Sequence, residues 1–217
     1  MLTLALIEPQ EDALEILCLG AHCDDIEIGC GGTVLRLTEQ FPNARFRWVV
    51  LSSTDVRAAE AQRAAEHFLS DAGKQDIRIE CFRESYSPWV GAEIKDYLEA
   101  LKADVDPDLI LTHHRHDRHQ DHRLVAELTW NTWRDHLILE YEIPKYDGDL
   151  GSPNVFIALD EATARRKVDG ILDHFPSQRQ RAWFDADTFR SVLRLRGMEA
   201  NAPSRFAEGF YGSKVVL

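Results

Sequence analysis

ILCLGAHCDDIEIGCGG, residues 16–32, is the stretch that decides the fold of this chain. An apolar run at 16–20 is followed at once by His22-Cys23-Asp24-Asp25 and then by glycines at 29, 31 and 32. This order is typical of a buried parallel strand that ends in a turn and leads into a helix. A second apolar run, at 109–112, precedes His119-Gln120-Asp121-His122. Ligands of open α/β sheets bind just beyond the carboxyl ends of the strands, where both motifs are expected.

Predicted strands and helices alternate along the chain. Apolar and β-branched runs predict strands at 16–21, 46–52, 77–82, 109–112, 137–142 and 154–159. Helical spacing of apolar residues predicts helices at 33–40, 57–69, 92–103, 122–133, 161–174 and 186–196. The succession predicts a Rossmann-like α/β fold, an open and mostly parallel sheet with helices on both faces and strand order 3-2-1-4-5. In that order strands one and four are neighbours, so the two motifs face each other across one crevice.

Length and composition predict that residues 1–217 form a single domain. We expect its core at about 14–145 and a C-terminal extension at about 146–217 that forms one wall of the pocket. The net charge of −12 argues against a nucleic-acid partner. We expect no membrane span and no signal peptide, and therefore a cytoplasmic protein. The four cysteines form no C-x-x-C pair, and Cys18 and Cys81 are predicted to lie in the core.

The first motif contains the residue types of a catalytic metal site. Such a site takes about three ligands from His and carboxylate side chains and leaves one position for water. His22 and Asp25, three residues apart across the turn, can point the same way. Asp24 would project differently and remain free to deprotonate the metal-activated water. The alternative is structural, because paired aspartates before a glycine-rich turn often cap a helix.

The second motif adds two imidazoles on one side of an opening helical turn. One of His119 and His122 can bind the metal while the other contacts substrate. Asp121 either caps the helix or orients an imidazole. We interpret the remaining histidines of this loop as solvated residues without a direct role: His113, His114 and His116.

Together, AHCDDIEIGCGG and THHRHDRHQDHR resemble the LmbE-like, or PIG-L-type, family of zinc-dependent N-deacetylases. Its first motif is usually written A/P-H-P-D-D-E and its second H-P-D-H or H-x-D-H. Three weaker patterns agree with the resemblance: Arg57-x-x-Glu60, Phe175-Pro176-Ser177-Gln178, and the segment RFAEGF at 205–210. Cys23 departs from the family, which usually has proline there; we expect it to be a packed small residue.

The resemblance implies a role for each residue of the two motifs. His22, Asp25 and His122 match the metal ligands, Asp24 matches the general base, and a protonated His119 matches the group that stabilises the oxyanion. It implies zinc, with Fe²⁺ as an alternative, because His and carboxylate ligands suit both metals. The expected substrate is a small N-acetylated amino sugar of the N-acetylglucosamine type, or its glycoconjugate, and relatives of this kind often form homo-oligomers. Arg57 and Glu84 follow strands two and three and are candidates for binding substrate hydroxyls.

Two other functions fit the same residues. A metal-dependent phosphohydrolase on a small phosphorylated substrate is the first alternative, since His-Asp clusters also build two-metal sites. The second is a non-catalytic nucleotide- or sugar-binding domain, because a fold does not fix a function. The glycines after Asp25 do not form G-x-G-x-x-G, so a dinucleotide role lacks its fingerprint.

Overall fold

The computed structural model describes residues 14–215, which form a seven-stranded sheet between two layers of helices. The strands are β1 (Glu15–Gly20), β2 (Arg45–Val50), β3 (Lys74–Ile79), β4 (Leu109–His113), β5 (Leu137–Tyr141), β6 (Val155–Leu159) and β7 (Phe206–Gly212). The helices are α1 (Asp25–Gln40), α2 (Asp55–Phe68), α3 (Gly91–Asp104), α4 (Gln120–Thr132), α5 (Glu161–His174) and α6 (Ala186–Glu199). Within the described residues no helix is both long enough and apolar enough to cross a bilayer.

The strand order is β3-β2-β1-β4-β5-β7-β6, which confirms the predicted 3-2-1-4-5 arrangement. The first five strands are parallel, whereas β7 pairs antiparallel with both β5 and β6. β1 lies beside β4, with Ile16 opposite Leu109 and Cys18 opposite Leu111. The loops that follow these two strands therefore open at the same edge of the sheet, as expected.

The structure corrects three details of the prediction. β3 is displaced from 77–82 to Lys74–Ile79, because its register against β2 pairs Lys74 with Arg45 and Ile79 with Val50. Cys81 consequently lies beyond the strand and is exposed. β7 was not predicted as a strand, because glycine and glutamate interrupt its apolar residues. α1 begins at Asp25 rather than at residue 33, since a kink at Cys30 and three glycines disrupt its apolar spacing.

Apolar residues fill both faces of the sheet. On one face Trp48 and Phe68 lie in a cluster with residues of α1, α2 and α5. On the other face Leu98 and Trp133 lie in a second cluster under α3 and α4. Alternate strand residues supply the two clusters, which is the arrangement of a sheet covered on both sides. A β-carbon at Gly29 would overlap the Tyr141 ring, so glycine lets α1 approach β5 closely.

The C-terminal extension is bonded to the kinked helix α1. The buried Glu208 carboxylate on β7 accepts hydrogen bonds from the backbone N–H of Gly32 (2.8 Å) and Thr33 (2.7 Å). The second half of α1 begins there, so the carboxylate satisfies amide donors that have no partner within the helix. Lys167 of α5 pairs with the same carboxylate and donates to the Ile28 carbonyl (2.7 Å). The glutamate of the RFAEGF segment therefore fixes the helix whose first turn contains Asp25.

A second bond joins the extension to α2. Glu60 accepts from the backbone N–H of Ser177 at 2.9 Å and also from its hydroxyl. The Arg57-x-x-Glu60 pattern and the 175–178 segment, far apart in sequence, thus meet in the fold. This contact holds the N-terminal half of α2, one turn after Arg57.

Candidate metal centre

Two loops at the carboxyl edge of β1 and β4 form the candidate site. His22, Asp24 and Asp25 occupy the turn from β1 into α1. His119 and His122 lie at the start of α4, after the loop that leaves β4. His22, Asp25 and His122 are nearly withdrawn from solvent, with exposures of 8%, 3% and 3%, whereas His119 is partly exposed.

Three predicted ligands converge on one point. His22 Nδ1 lies 3.1 Å from His122 Nε2 and 3.3 Å from Asp25 Oδ2, and His122 Nε2 lies 3.5 Å from Asp25 Oδ1. Ligands held at about 2.1 Å from a tetrahedral zinc ion stand roughly 3.4 Å from one another. The observed spacings are close to this value, although the two imidazoles approach different oxygens of Asp25.

Each imidazole is oriented by a carboxylate on its other ring nitrogen. His22 Nε2 donates to Asp121 Oδ2 at 3.1 Å, and His122 Nδ1 donates to Asp117 Oδ2 at 3.0 Å. Carboxylates accept only, so these two nitrogens hold protons, and in the neutral His122 ring the nitrogen that faces Asp25 presents a lone pair. Carboxylate partners of this kind fix the tautomer and ring orientation of metal-binding histidines.

The charges at this point call for a cation. His22 Nδ1, His122 Nε2 and the Asp25 carboxylate face one another in a buried place, where unbalanced charge is costly. Burial lowers the pKa of His22, but Asp25 and Asp121 outweigh it and raise that pKa to about 10, so the His22 ring is protonated without a metal and a bound ion would replace its Nδ1 proton. Burial and the neighbouring His113 lower the pKa of His122 to about 3, so its ring stays neutral. The donor set suits a divalent metal ion bound between the three ligands.

Asp24 lies beside the three ligands and is bound by Arg57. Its Oδ1 accepts from Arg57 Nη2 at 2.7 Å, and the aspartate is only 5% exposed. Burial raises the pKa of Asp24 although Arg57 acts in the opposite direction. Arg57 Nε is buried and has no acceptor within the described part of the chain. The structure thus places both predicted residues in the crevice and joins them to each other.

His119 lies against both imidazole ligands. Its ring centroid is 4.9 Å from that of His22 and 4.6 Å from that of His122. His119 Nδ1 accepts from the Asp121 backbone N–H at 3.3 Å, which leaves the proton on Nε2. Burial and the charge of His22 lower the pKa of His119, so the structure favours a neutral N–H donor over the protonated ring that we expected.

Asp121 orients an imidazole and does not cap α4. Besides His22, its carboxylate accepts from the backbone N–H of Ser85 (2.7 Å) and Ser87 (3.2 Å). The capping side chain of α4 is that of His119. Glu84, next to Ser85, is exposed; its negative charge contributes to raising the pKa of His22.

Three functional positions were missed by sequence reasoning. His113 is fully buried, stacks on His122 at 4.0 Å between centroids, and places Nε2 3.1 Å from Asp25 Oδ2. The interpretation of His113 as a solvated residue was therefore wrong. Asp117 orients His122, and Lys145 neutralises Asp117 at 2.9 Å. Two sequence features could have identified His113 and Asp117: His113 stands at the end of a buried strand, and Asp117 stands five residues before His122.

The neighbouring loop residues have separate roles. His114 contacts Glu140 at 2.7 Å and stacks on Tyr211, whereas His116 is exposed. Cys23 is buried with its thiol 3.5 Å from the Ser52 carbonyl, which agrees with a packed small residue. Burial raises the pKa of that thiol to about 12.

Comparison with known proteins gives a consistent result. The sequence profile of the family described as PIG-L, GlcNAc-PI de-N-acetylase, matches residues 17–133. The uncharacterized deacetylase YaiS of Escherichia coli K12 is 31% identical over 183 residues, which cover 78% of this chain and 95% of YaiS.

Two solved structures share the fold. The N,N'-diacetylchitobiose deacetylase of Pyrococcus horikoshii is 20% identical with a TM-score of 0.65, over 96% of this chain and 87% of that chain. The 4-carboxy-2-hydroxymuconate hydratase GalB of Pseudomonas putida KT2440 is 18% identical with a TM-score of 0.76, over 94% of this chain and 98% of that chain. At such identities the likeness establishes the architecture alone. The profile match and the identity to YaiS go further, and they show that this chain belongs to the PIG-L, or LmbE-like, family of de-N-acetylases.

Proposed function

We propose that the protein is a zinc-dependent hydrolase that removes the acetyl group from an N-acetylated amino sugar of the N-acetylglucosamine type, or from its conjugate. The observation that carries the proposal is the set of ligand spacings, 3.1, 3.3 and 3.5 Å, between His22, Asp25 and His122. Fe²⁺ would suit the same ligands.

A divalent metal at these ligands would lower the pKa of a bound water and polarise the amide carbonyl. Asp24 then takes the proton of the attacking water, since it is the carboxylate beside the ligands that orients no imidazole. Its raised pKa suits a base that must later release the proton. Asp24 delivers that proton to the amine nitrogen as the C–N bond breaks, so acetate and a free amine leave.

His119 and Arg57 complete the proposed machinery. The Nε2–H of His119 donates to the oxygen of the amide as negative charge develops on it; one such donor typically contributes about 3–4 kcal/mol. Arg57 holds Asp24 through Nη2, and we propose that its guanidinium also contacts a substrate hydroxyl. Glu84 is exposed close by and is proposed as a second hydroxyl ligand.

The phosphohydrolase alternative is less well supported. A two-metal site needs a second group of ligands, but Asp117 and Asp121 are already engaged by imidazoles and backbone amides. Two groups of the described residues could hold a metal ion, His22 with His119 and His122, and Asp25 with His113 and His122; they share His122 and therefore do not form two independent sites. Because a hydratase shares this fold, the fold alone does not fix the reaction, and release of acetate is the readout that identifies a deacetylase.

The test measures acetate released by zinc-loaded protein from N-acetylated amino sugars, their nucleotide forms and glycosides. We expect release from at least one of them, and its loss in Asp24→Asn with the zinc content unchanged. The matched control is Asp149→Asn, a nearby carboxylate that touches no imidazole. Phosphate release from phosphorylated sugars without acetate release would reject the proposal in favour of the phosphohydrolase.

A further inference from the structure

Two large aromatic side chains are exposed beside the metal centre. Tyr86 is 42% exposed and Trp89 is 70% exposed, whereas Trp48 and Trp133 are fully buried in the core. The ring centroids of Tyr86 and Trp89 are 5.7 Å apart with an interplanar angle of 58°. We call this pair the aromatic platform. Exposed aromatic surface of this size is unfavourable in water and commonly marks a contact site.

The platform is fixed within its own loop. The Trp89 backbone N–H donates to the Tyr86 carbonyl at 2.9 Å, and the Tyr86 N–H donates to the Arg83 carbonyl at 3.2 Å. The Arg83 guanidinium lies 3.5 Å above the Tyr86 ring, a cation–π contact that holds the ring in place. A surface ordered in advance binds with a smaller entropic cost.

The platform is also bonded to the metal centre. Ser85 and Ser87, on either side of Tyr86, both donate backbone N–H groups to the Asp121 carboxylate. That carboxylate is the one that orients His22. Ser85 adopts a left-handed φ of 65°, which is uncommon for serine, and its carbonyl accepts from Gln120. The loop is therefore held at the rim of the crevice on the side of His22.

We propose that the aromatic platform binds a second ring, joined to the N-acetylated sugar, so that the preferred substrate is a disaccharide or other ring-bearing conjugate rather than a free monosaccharide. This inference rests on the proposed function. An acetamido group attacked at the metal centre places the rest of the sugar toward the rim. The flat, largely apolar face of a second ring can cover Tyr86 and Trp89 there, which removes apolar surface from water.

A saccharide is favoured over a charged group as the second ring. The Arg83 guanidinium lies over the Tyr86 ring and the adjacent Glu84 is exposed and negative, so a phosphate at this rim would meet a carboxylate beside its cation, whereas a neutral sugar ring would not be repelled. A sugar ring presents C–H groups to the aromatic faces and hydroxyls to Glu84. Tyr146, 74% exposed on the loop after β5, has no aromatic or guanidinium neighbour in the described part of the chain. We assign it no part in the platform.

The experiment compares kcat and KM for three substrates: N-acetylglucosamine, N,N'-diacetylchitobiose and an aryl N-acetylglucosaminide. The disaccharide and the aryl glycoside separate a saccharide from an aromatic second ring. For Trp89→Ala we expect KM for the disaccharide to rise about five- to tenfold. KM for the monosaccharide and kcat for both should stay within about twofold, since Trp89 touches no metal ligand. Met198→Ala is the control, an apolar α6 residue of similar exposure (68%).

Two kinetic outcomes would overturn the proposal. One is an equal rise in KM for monosaccharide and disaccharide; the other is a disaccharide-selective effect of Tyr146→Ala with none of Trp89→Ala. An effect confined to the aryl glycoside would reject the saccharide assignment.

Calorimetric binding of the disaccharide to zinc-loaded Asp24→Asn, with and without Trp89→Ala, tests the platform even if no acetate is released. Weaker binding in the double variant would then support the platform while the proposed reaction fails. Unchanged or undetectable binding would count against the platform itself.

Discussion

Asp117 is the residue whose replacement tests the metal centre most sharply without touching a ligand. Its buried carboxylate bonds to His122 Nδ1 at 3.0 Å, to Lys145 Nζ at 2.9 Å and to the His119 backbone N–H at 2.7 Å. Asp117→Asn keeps the shape but introduces an amide that can donate to His122 Nδ1. The ring proton would then move to Nε2, the atom that must present a lone pair to the metal.

The expected loss of metal affinity follows from this geometry. Removal of a carboxylate that orients a metal-binding imidazole typically costs 10- to 100-fold in affinity, or about 1.4–2.7 kcal/mol. Lys145 loses one of its two carboxylate partners and keeps Asp149 at 2.7 Å. We therefore expect a loss in unfolding free energy of about 1–3 kcal/mol, below the usual cost of an unpaired buried charge.

The assay is competition for zinc against a chromophoric chelator, combined with urea unfolding of the metal-free protein. Asp149→Asn is the matched control, because it removes the other partner of Lys145 and leaves His122 untouched. We expect the control to lower stability and to keep zinc affinity within about threefold. Affinity in Asp117→Asn within a factor of two of the wild type would refute the assigned role.

Three further predictions concern groups outside the metal ligands. Glu208→Gln should lower the unfolding free energy by about 3 kcal/mol in urea titrations, because Lys167 would remain charged and buried. The control Glu199→Gln, at a more exposed ion pair, should cost less than about 1 kcal/mol. Equal losses in the two variants would contradict the structural role of Glu208. Burial acts to raise the pKa of Glu140, but hydrogen bonds from His114 and Arg115 outweigh it and lower that pKa to about 2. The ionised Glu140 therefore contributes fully to the unfolding free energy above pH ~4.5, and this contribution is lost as the pH falls toward 2. Glu140→Gln should therefore lose about 2–3 kcal/mol at pH 7 and much less at pH 3, and a cost independent of pH would argue against this. Iodoacetamide at pH 8 should label Cys81 and spare the buried Cys18, Cys23 and Cys30; rapid labelling of the folded Cys81→Ser variant would disprove their burial.

The sequence was sufficient for the order of the first five strands because apolar runs and right-handed crossovers restrict the topology. It was also sufficient to bring His22 and His122 together, since β1 and β4 are neighbours in that order. β7 was missed because its residues alternate poorly, and its pairing with β5 and β6 is a tertiary property. α1 was predicted too short, because the kink at Cys30 and the glycines disrupt its apolar spacing and the amides after the kink bond to Glu208 from the far end of the chain.

The orienting groups of the site were harder to predict than its ligands. The ligand triad follows from the family resemblance that the two short motifs support, but the partner of each imidazole depends on ring orientation in three dimensions. Asp117 and Asp121 are both aspartates near His122, yet Asp121 bonds to His22 and Asp117 bonds to His122. Lys145 comes from the loop after β5, and no local pattern connects it to the motifs.

The most direct test of the account is a crystal structure of the zinc-loaded protein with anomalous data at the zinc edge. We predict one zinc ion about 2.0–2.2 Å from His22 Nδ1, His122 Nε2 and an Asp25 oxygen, with Asp24 and His119 on its open side. An ion ligated through Asp117 or Asp121, or one bound away from these three ligands, would contradict the account.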